Sequence, residues 1–509
     1  MEGQVRDDAE ADGQVAGHAT IARVHRRQFV LGPRPLLARP DWRQQALGRH
    51  VLSVDPELRL GTVDAADGTR WRLLGIAVET RADRAPPLDA LSRTPRESVP
   101  ALYHHWAGRW LLVDEHEIHP DACATLGCLY GHDAAGDLWV SSSPALLARA
   151  LSIPTVPDGW TPAPGATIRH VSWHPPPGGP LPGTARLLPS QILGLDGAAP
   201  RHRPLVDTVA AEPPPDDDAT IAAIGVGVTT AMQNLAELAP DGRPVLLLSG
   251  GRDSRLLLSL AAAAELAVTT FTRLHRRAAV ADRRLPPELA RRAGYRWRAN
   301  RQRHEIAGRR EALQAHGGHS VADLSAGEFL EGGSDPLDGI ALAGFCAELG
   351  RDDMLPEGAD DALDGARLAR HFGEDDPGLA GALQRWLDWR RAHPESRLSL
   401  ADCFFLEQRV AGRKGAKEQL CDLFRVERVA PLNARSLLTL VTALSPPVRR
   451  EASWIESLVA RGPPGLAELP TNPPDHAFGF LRGRLLNPGA WRRLGRTLRG
   501  IDRSSAPRR

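Results

Sequence analysis

The 509-residue chain has almost no excess charge and few cysteines. With 63 Lys and Arg against 62 Asp and Glu its net charge is +1, so no large single-sign field draws it to nucleic acid or to an anionic membrane. Its five cysteines are odd in number and lack the paired spacing of zinc sites, which favours a reducing compartment without a disulfide framework. Residues 1–20 are acidic and polar, unlike a signal peptide, and no apolar run approaches the ~20 residues of a membrane span. We therefore expect a cytoplasmic protein with no nucleic-acid partner and no membrane span.

The length predicts at least two domains, because single hydrophobic cores stop growing at about 250–300 residues. Residues 1–20 have the composition of a disordered tail. Residues 21–208 contain short apolar runs between turn residues, such as "RWRLLGIAV" and "GRWLLVDE", with a short helix at "PALLARAL" and a surface loop at "PPPGGPLPG". A composition shift at "EPPPDDDATIAAIG" predicts that a second domain occupies residues 209–509.

This second domain alternates helices and strands. A helix is predicted from Asp217 to Leu238, because the aspartates at its start accept the free amide hydrogens of a first turn. A strand and a helix follow from Pro244 to Leu266, then a strand at "AVTTFT", a helical run from Pro287 to Ala293 and a strand from Gly339 to Gly344. The alternation predicts a parallel α/β sheet covered on both faces, and residues 365–509 have the pattern of amphipathic helices.

The segment "PVLLLSGGRDS" places a polar, glycine-rich loop after a buried parallel strand. Gly250 and Gly251 let the backbone curl close to a phosphate, and Ser249 and Ser254 add hydroxyl donors at a helix N-terminus. Asp253 would repel an anion unless a divalent cation bridges the two, so the loop predicts a nucleotide with Mg²⁺. A tight turn with Asp253 as a helix cap is the alternative.

The same loop resembles a known family. The pattern S-G-G-x-D-S after an apolar strand is that of the pyrophosphatase loop of the adenine-nucleotide α-hydrolases, and "LLLSGGRDSRLLL" is most similar to the asparagine synthetase branch. That branch cleaves ATP between the α- and β-phosphates, activates a carboxylate as an acyl-adenylate and lets an amine displace AMP. The resemblance implies the cofactors ATP and Mg²⁺ and a nucleotide site formed by Leu248, Ser249, Gly250, Gly251, Asp253, Ser254, Phe271, Thr272 and Gly344.

Segments further along the chain agree with the family order. "FTRL" matches the Phe-Thr pair whose backbone is expected to hold adenine, at Phe271 and Thr272. Asp282 and Ala290 match the D-x7-A helix that follows, although Pro286-Pro287 is expected to interrupt that helix.

A second motif, "LAGFCAELGRDD", resembles the family's glycine turn and carboxylate. Gly344 and Glu348 match it, whereas Cys346 and Ala347 stand where glycines are usual. The resemblance implies that Glu348 and Asp253 are the two metal ligands and that both are catalytic. Glu348 as a mere helix cap is the alternative.

The only two lysines of the chain, Lys414 and Lys417, lie in "EQRVAGRKGAKEQLCDLFRVERVAPLN". This segment resembles the family's helical stretch ending in Pro-Phe-Leu-Asp, here Pro431 to Asn433. Lys417 falls near a basic residue common in that stretch, so it is the candidate catalytic cation that neutralises phosphate charge. A solvated helix lysine is the alternative.

The N-terminal domain resembles the glutaminase of asparagine synthetases, an Ntn-type α+β sandwich, through "AGRWLLVDE", Asp121 and "GCLYGHDAAGDLWVSSSPALLARAL". The family's nucleophile is a cysteine at position 2, but residue 2 here is Glu and the first cysteine is Cys123. We expect a retained fold without glutaminase chemistry.

Three functions remain open. The first is an AMP- and pyrophosphate-forming amide synthetase that cyclises one substrate carrying both carboxylate and amine, as lasso peptide macrolactam synthetases and β-lactam synthetases do. Such an enzyme would take a small-molecule or peptide substrate and could work with a peptide-maturation protease. The second is an intermolecular ligase using ammonia or another amine. The third is a nucleotide-binding regulatory protein that lost turnover, which the altered Cys346-Ala347 favours.

Two further signals favour structure over function. "HGGH" offers His316 and His319 to zinc, but a third ligand is missing, so a surface loop is the preferred interpretation. Trp386 and Trp389, three residues apart on a predicted helix, are interpreted as core residues.

Overall fold

The computed structural model describes residues 23–154, 171–206, 216–274, 280–301, 309–318, 338–349, 355 and 363–473. The predicted tail 1–20 lies outside these ranges. The described strands are β1 (Phe29–Gly32), β2 (Arg43–Leu47), β3 (His50–Val54), β4 (Leu60–Asp64), β5 (Arg70–Glu79), β6 (Trp106–Val113), β7 (Glu117–Pro120), β8 (Leu129–His132), β9 (Leu138–Ser141), β10 (Ala185–Arg186), β11 (Gln191–Gly194), β12 (Arg201–His202), β13 (Val245–Leu247), β14 (Thr269–Leu274), β15 (Trp297–Arg301), β16 (Gly339–Leu342) and β17 (Val426–Val429).

The described α-helices are α1 (Pro87–Leu91), α2 (Val99–Tyr103), α3 (Pro144–Leu151), α4 (Asp217–Glu237), α5 (Arg252–Ala263), α6 (Val280–Arg292), α7 (Arg309–Gly317), α8 (Gly365–His371), α9 (Pro377–Ala392), α10 (Leu400–Phe404), α11 (Gly415–Cys421), α12 (Arg435–Ala443), α13 (Pro446–Glu451) and α14 (Ser453–Ala460). A π-helical segment, Phe405–Lys414, joins α10 to α11 without a break.

Two antiparallel sheets built from residues 29–202 face each other across an apolar core. Their strand orders are β10-β8-β9-β1-β3-β2 and β12-β11-β7-β6-β5-β4. Alternation along β1 sends Phe29 and Leu31 into the core between the sheets and Val30 to the opposite face, where α3 packs. Helices α1 and α2 cover the outer face of the other sheet against Trp71. The result is a sandwich of two sheets with helices on both outer sides.

The third sheet is fully parallel, with the order β15-β14-β13-β16-β17. In chain order this is third, second, first, fourth, fifth, so the chain builds outward from β13 in one direction and then resumes at β16 on the other side. The loops after β13 and β16 therefore leave neighbouring strands at one edge of the sheet and diverge. Such a reversal of strand order forms a crevice in which open α/β sheets bind ligands.

The mixed α/β architecture with a parallel sheet and a helical C-terminal part is confirmed. Helix α4 begins as predicted, because Asp216 caps it by accepting a hydrogen bond from the amide of Ala219, at 2.7 Å. The strands at "AVTTFT" and "GIALAG" and the helix at "PALLARAL" are present. Strands β15 and β17 escaped prediction because arginines occupy part of both, and β17 also contains a glutamate.

Two expectations were wrong. Pro286 and Pro287 do not interrupt helix α6, which continues through both prolines. Its buried apolar residues, among them Leu285 and Leu289, stabilise the helix against the loss of two amide donors. The segment "PPPGGPLPG" is not simply a surface loop, because the carbonyl of Pro176 accepts a 2.6 Å hydrogen bond from Gln408 of the π-helix.

Helix α4 is the one described helix that could cross a membrane by its length and composition. However, 61% of its most apolar window is buried inside the protein. Ile224, Val228 and Leu235 belong to the main apolar core, as in a core helix of a soluble protein.

A buried ion pair joins the sandwich to the helical part. Arg109 of β6 donates two hydrogen bonds, 2.5 and 2.6 Å long, to the carboxylate of Asp422, and each residue is only 2% exposed. Close by, the side-chain amide of Asn433 donates to Asp121 at 2.9 Å and to the carbonyl of Gly108 at 2.6 Å. Residues more than 300 positions apart in the chain are thus joined by buried polar contacts in addition to the apolar packing.

Replacing Asp422 by Ala should lower the free energy of unfolding by about 3–5 kcal/mol, because it leaves the Arg109 guanidinium buried without its counter-ion. Urea unfolding followed by tryptophan fluorescence measures this. The control is Asp64→Ala, which breaks the exposed Arg70–Asp64 pair and should leave the unfolding midpoint almost unchanged. Equal effects of the two variants would contradict the role given to the buried pair.

Candidate functional site

The loops after β13 and β16 meet at the reversal of strand order. In the first, the amide of Ser249 donates to the hydroxyl of Ser254 (3.1 Å), that of Gly250 to the Asp282 carboxylate (2.7 Å) and that of Gly251 to the Ser249 hydroxyl (3.2 Å). The loop is thus preformed by its own side chains. Asp282, matched in the sequence only as part of a helix motif, has a definite role here because its carboxylate holds the loop.

Helix α5 begins at Arg252, and its N-cap residue is Gly251, which has no side-chain cap. Asp253 is therefore the second residue of the helix and not its cap. The alternative in which Asp253 only caps the helix is wrong, and its carboxylate lines a cavity instead.

The two loops touch through Gly344. A Cβ atom on Gly344 would lie 2.8–2.9 Å from the backbone carbonyl group and Cβ of Asp253, closer than real atoms approach. A Cβ on Gly250 would lie 3.2 Å from the Cβ of Ala281. Glycine is required at position 344 so that the loop carrying Glu348 can approach the loop carrying Asp253.

Cys346 adopts a left-handed backbone conformation with φ 79°. This is the region that glycine favours, and the resembled family usually has glycine at this position. The Cys346 thiol is fully buried, and its sulfur lies 3.7 Å from that of Cys123 in the sandwich. Burial, and next the hydrogen bond with Cys123, raise the pKa of the Cys346 thiol.

A cavity of about 240 Å³ lies between the two loops. Predicted residues line most of it: Leu248, Ser249, Asp253, Ser254, Phe271, Thr272, Gly344 and Glu348. Gly250 and Gly251 belong to the loop backbone without lining the cavity, and neither does Lys417 line it. Residues that the sequence did not single out for this site complete its wall: Leu247, Arg273, Asp282, Ala343, Phe345, Lys414 and Arg428.

Phe271 and Thr272 are tied to the first loop. The amide of Leu248 donates to the carbonyl of Phe271 and the hydroxyl of Thr272 donates to the carbonyl of Leu248, both at 2.8 Å. The indole of Trp297 donates to the Thr272 hydroxyl at 2.9 Å. These bonds fix the first loop to β14 and hold both residues on the cavity wall.

The basic residues that line the cavity are Arg273, Lys414 and Arg428, and Lys417 is not among them. Lys414 ends the π-helical segment, in which the side-chain register differs from that of an α-helix, and its ammonium lies 5.9 Å from the ring centre of Phe345. Arg428 lies on β17, 3.3 Å from the Glu418 carboxylate. Lys417, predicted as the catalytic cation, lies three residues beyond Lys414 in helix α11 and does not line the cavity.

The charges around Lys414 shift its protonation. Burial, and next the neighbouring cation Arg428, lower the pKa of Lys414 to about 8. Glu418 and Glu348 raise it, and Lys417 lowers it. The charged form of the ammonium group is thus less favoured than in water, and a bound anion would raise the pKa again.

The residues present fit Mg²⁺ held jointly with a phosphate. Within the described ranges no three His, Cys, Asp or Glu side chains are gathered as a metal site. Asp253 and Glu348, however, line one cavity from opposite loops. Mg²⁺ is usually bound by one or two carboxylates with substrate phosphates and water supplying the other ligands, which is the arrangement that these two residues offer.

None of the five cysteines is placed as an exposed nucleophile. All five are buried. Burial raises the pKa of Cys128 to about 12 and also raises the pKa values of Cys346, Cys403 and Cys421. Thiols that stay protonated are weak nucleophiles.

Asp121 is used structurally, because its carboxylate accepts the amide hydrogens of Cys123 and Thr125.

His316 is a packing residue and not a zinc ligand among the described residues. Its Nδ1 accepts the amide hydrogen of His25 at 3.0 Å, and its Nε2 donates to the carbonyl of Gln419 at 2.8 Å. Burial lowers the pKa of His316 to about 3. The partner in the motif, His319, lies outside the described residues.

The tryptophan expectation is confirmed for Trp386. Trp386 is fully buried and its indole donates to Glu407 at 2.7 Å. Trp389 is only partly buried, and its ring contacts His393 and His202. Neither lines the cavity between the two loops.

No model of a known protein family matches the sequence, and no curated protein matches it either.

Gly344→Ala should lower the free energy of unfolding by about 1–3 kcal/mol, because the added methyl forces the two loops apart. Thermal and urea unfolding measure this change. Gly381→Ala is the matched control: in helix α9 a Cβ there meets only the end of Arg385 at 3.9 Å, so alanine should stabilise by about 0.5–1 kcal/mol. An unchanged Gly344→Ala protein would contradict the contact between the loops.

Proposed function

We propose that this protein is an ATP-dependent, AMP- and pyrophosphate-forming amide synthetase of the asparagine synthetase type. The observation that carries the proposal is the cavity at the reversal of strand order, which two carboxylates, Asp253 and Glu348, line from facing loops. The fold supports it, since the parallel sheet matches the expectation of an adenine-nucleotide α-hydrolase-like domain. The sandwich with helices on both outer sides matches that of an Ntn-type domain.

The proposed roles follow from position. Asp253 and Glu348 would hold Mg²⁺, which supplies charge neutralisation at the pyrophosphate when bound. Ser249 and Ser254 carry hydroxyl groups on the cavity wall that can donate to phosphate oxygens. Phe271 and Thr272, on the same wall, belong to the adenine end of the site.

The reaction forms and breaks two bonds in turn. A substrate carboxylate oxygen attacks the α-phosphorus of ATP and pyrophosphate leaves; an amine then attacks the acyl carbon and AMP leaves, while the amine proton goes to solvent or to a basic group. Lys414 and Arg428, on the cavity wall, are cations suited to the charge that develops on the phosphates. Lys417 remains outside the wall.

The nitrogen source is proposed to be the substrate itself. The five cysteines are all buried and offer no exposed glutaminase nucleophile, so we expect no glutamate release from glutamine in the presence of this protein. A carboxylate and an amine on one molecule gain effective concentration, which favours an intramolecular, macrolactam-forming cyclase acting on a peptide, as in lasso peptide biosynthesis. A maturation protease as partner and a cytoplasmic location belong to this proposal.

An intermolecular ligase using ammonia or another amine is the alternative. The third possibility, a regulatory protein that lost turnover, is less favoured because the backbone at Cys346 has the left-handed conformation that glycine would adopt. Incubation with ATP and a candidate linear peptide separates the two ligases. A product lighter by one water and free of added nitrogen supports the cyclase, whereas incorporation of labelled ammonia supports the alternative.

Asp253→Asn should reduce ATP-dependent pyrophosphate release at least about 100-fold, because an amide is a poorer Mg²⁺ ligand than a carboxylate. A coupled pyrophosphate assay measures it. Asp241→Asn makes the same change at the opposite edge of the sheet, before β13, and should retain activity. Near-normal turnover by Asp253→Asn, with an unaltered melting temperature, would refute the metal role.

The apparent affinity for MgATP should fall as the pH rises above about 8. The pKa of Lys414 lies at about 8 in the free protein, so the cation is present below that pH and is lost above it. Lys414→Arg keeps the charge and should abolish this fall, whereas Lys417→Arg should retain it. Titration of MgATP over the range from about pH 6.5 to about pH 9.5 measures the difference. If Lys417→Arg abolished the fall in affinity and Lys414→Arg retained it, Lys417 would be the cation of the site.

A further inference from the structure

A segment near the end of the described chain, Leu466–Asn472, packs on the first loop. Arg255 of helix α5 holds it by donating to the carbonyls of Leu466 (3.3 Å), Leu469 (2.6 Å) and Pro470 (2.7 Å). Arg255 is only 3% exposed. An arginine buried among carbonyls fixes a segment firmly, since each bond is charge-assisted and water cannot compete.

The held segment ends on the glycine pair. The backbone amide of Asn472 donates to the carbonyl of Gly250 at 3.1 Å. Asn472 has φ 43°, in the left-handed region that asparagine tolerates better than most residues. Its side-chain oxygen lies 3.4 Å from the position that a Cβ on Gly251 would take.

This bond decides which way the peptide between Gly250 and Gly251 faces. In a trans peptide the carbonyl oxygen and the following amide hydrogen point in opposite directions. With the carbonyl of Gly250 held by Asn472, the amide of Gly251 points the other way, to the hydroxyl of Ser249 on the cavity wall. A flipped peptide would present a carbonyl oxygen to the cavity, which repels phosphate.

We propose that Asn472 is a positioning residue for phosphate binding. Its backbone amide keeps the Gly250–Gly251 peptide in one orientation. In that orientation the Gly251 amide, which donates to Ser249 in the free protein, can donate its hydrogen bond to a phosphate oxygen instead. The inference rests on the proposed function, because it takes the cavity as an ATP site. It adds that a segment more than 200 residues beyond the loop is required for that site to accept phosphate.

The test compares Asn472→Pro with Asn472→Gly. Proline removes the amide hydrogen and cannot adopt the left-handed conformation, whereas glycine keeps both. We expect Asn472→Pro to weaken MgATP binding about 10-fold, the effect of one charge-assisted hydrogen bond, and Asn472→Gly to bind as the wild type does. Adenosine, which lacks phosphates, should bind both variants equally well. Calorimetric titration of MgATP and of adenosine measures these affinities, and thermal unfolding checks the fold.

Asn472→Pro binding MgATP as tightly as the wild type would overturn the inference, as would an equal loss of adenosine binding. Wild-type protein that binds neither MgATP nor adenosine would refute the proposed function itself and, with it, this inference. If Asn472→Pro fails to fold, Arg255→Lys takes its place, because lysine keeps the charge but cannot reach three carbonyls at once. The expected result is again weaker MgATP binding with unchanged adenosine binding, and the converse result overturns the inference.

Discussion

The contact of Gly344 with the backbone of Asp253 is the constraint on which the rest of the site depends. The reversal of strand order places the loops after β13 and β16 side by side, but only the absence of a side chain at 344 lets them touch. The contact brings two carboxylates to one cavity from two loops that are 90 residues apart in the chain. Two negative groups on one wall are unfavourable without a cation, so in the function that we propose the same contact is the reason for Mg²⁺ and for nearby basic residues.

The N-terminal sandwich supports that constraint. Asp422 is anchored by Arg109, and Asn433 by Asp121, so the helical part that carries Lys414 is held to the sandwich by bonds without access to water. Cys123 contacts Cys346, in the turn between Gly344 and Glu348. A domain with no exposed cysteine nucleophile thus still has a mechanical role, because it fixes the elements that form one side of the cavity.

Much of the site was predictable because its signals are local. Ser249, Gly250, Gly251 and Asp253 follow directly on an apolar strand, and Gly344 follows another, so composition and order were sufficient to place them. Long-range relations were not predictable. The bond from Asn472 to Gly250 and that from Asp282 to its amide join distant residues that no spacing rule connects.

The choice between the two lysines shows the same limit. A regular α-helix was assumed for the segment containing both, and the π-helical turns alter the direction of every side chain after them. Strand β17, which carries Arg428, was missed because two of its four residues are charged and adjacent, which is not the alternation typical of a strand. The fold class survived these errors because the remaining strands and helices of the sheet were strongly apolar.

The π-helical segment Phe405–Lys414 also has an evolutionary meaning. Since an α-helix turns about 100° per residue, removing residues from this segment would rotate everything beyond it relative to the residues before it. The direction of the cation at the end of the segment therefore depends on the number of residues in the segment. A site of this kind can gain or lose a basic group by insertion or deletion alone, with no change in the identity of the residue that carries the charge.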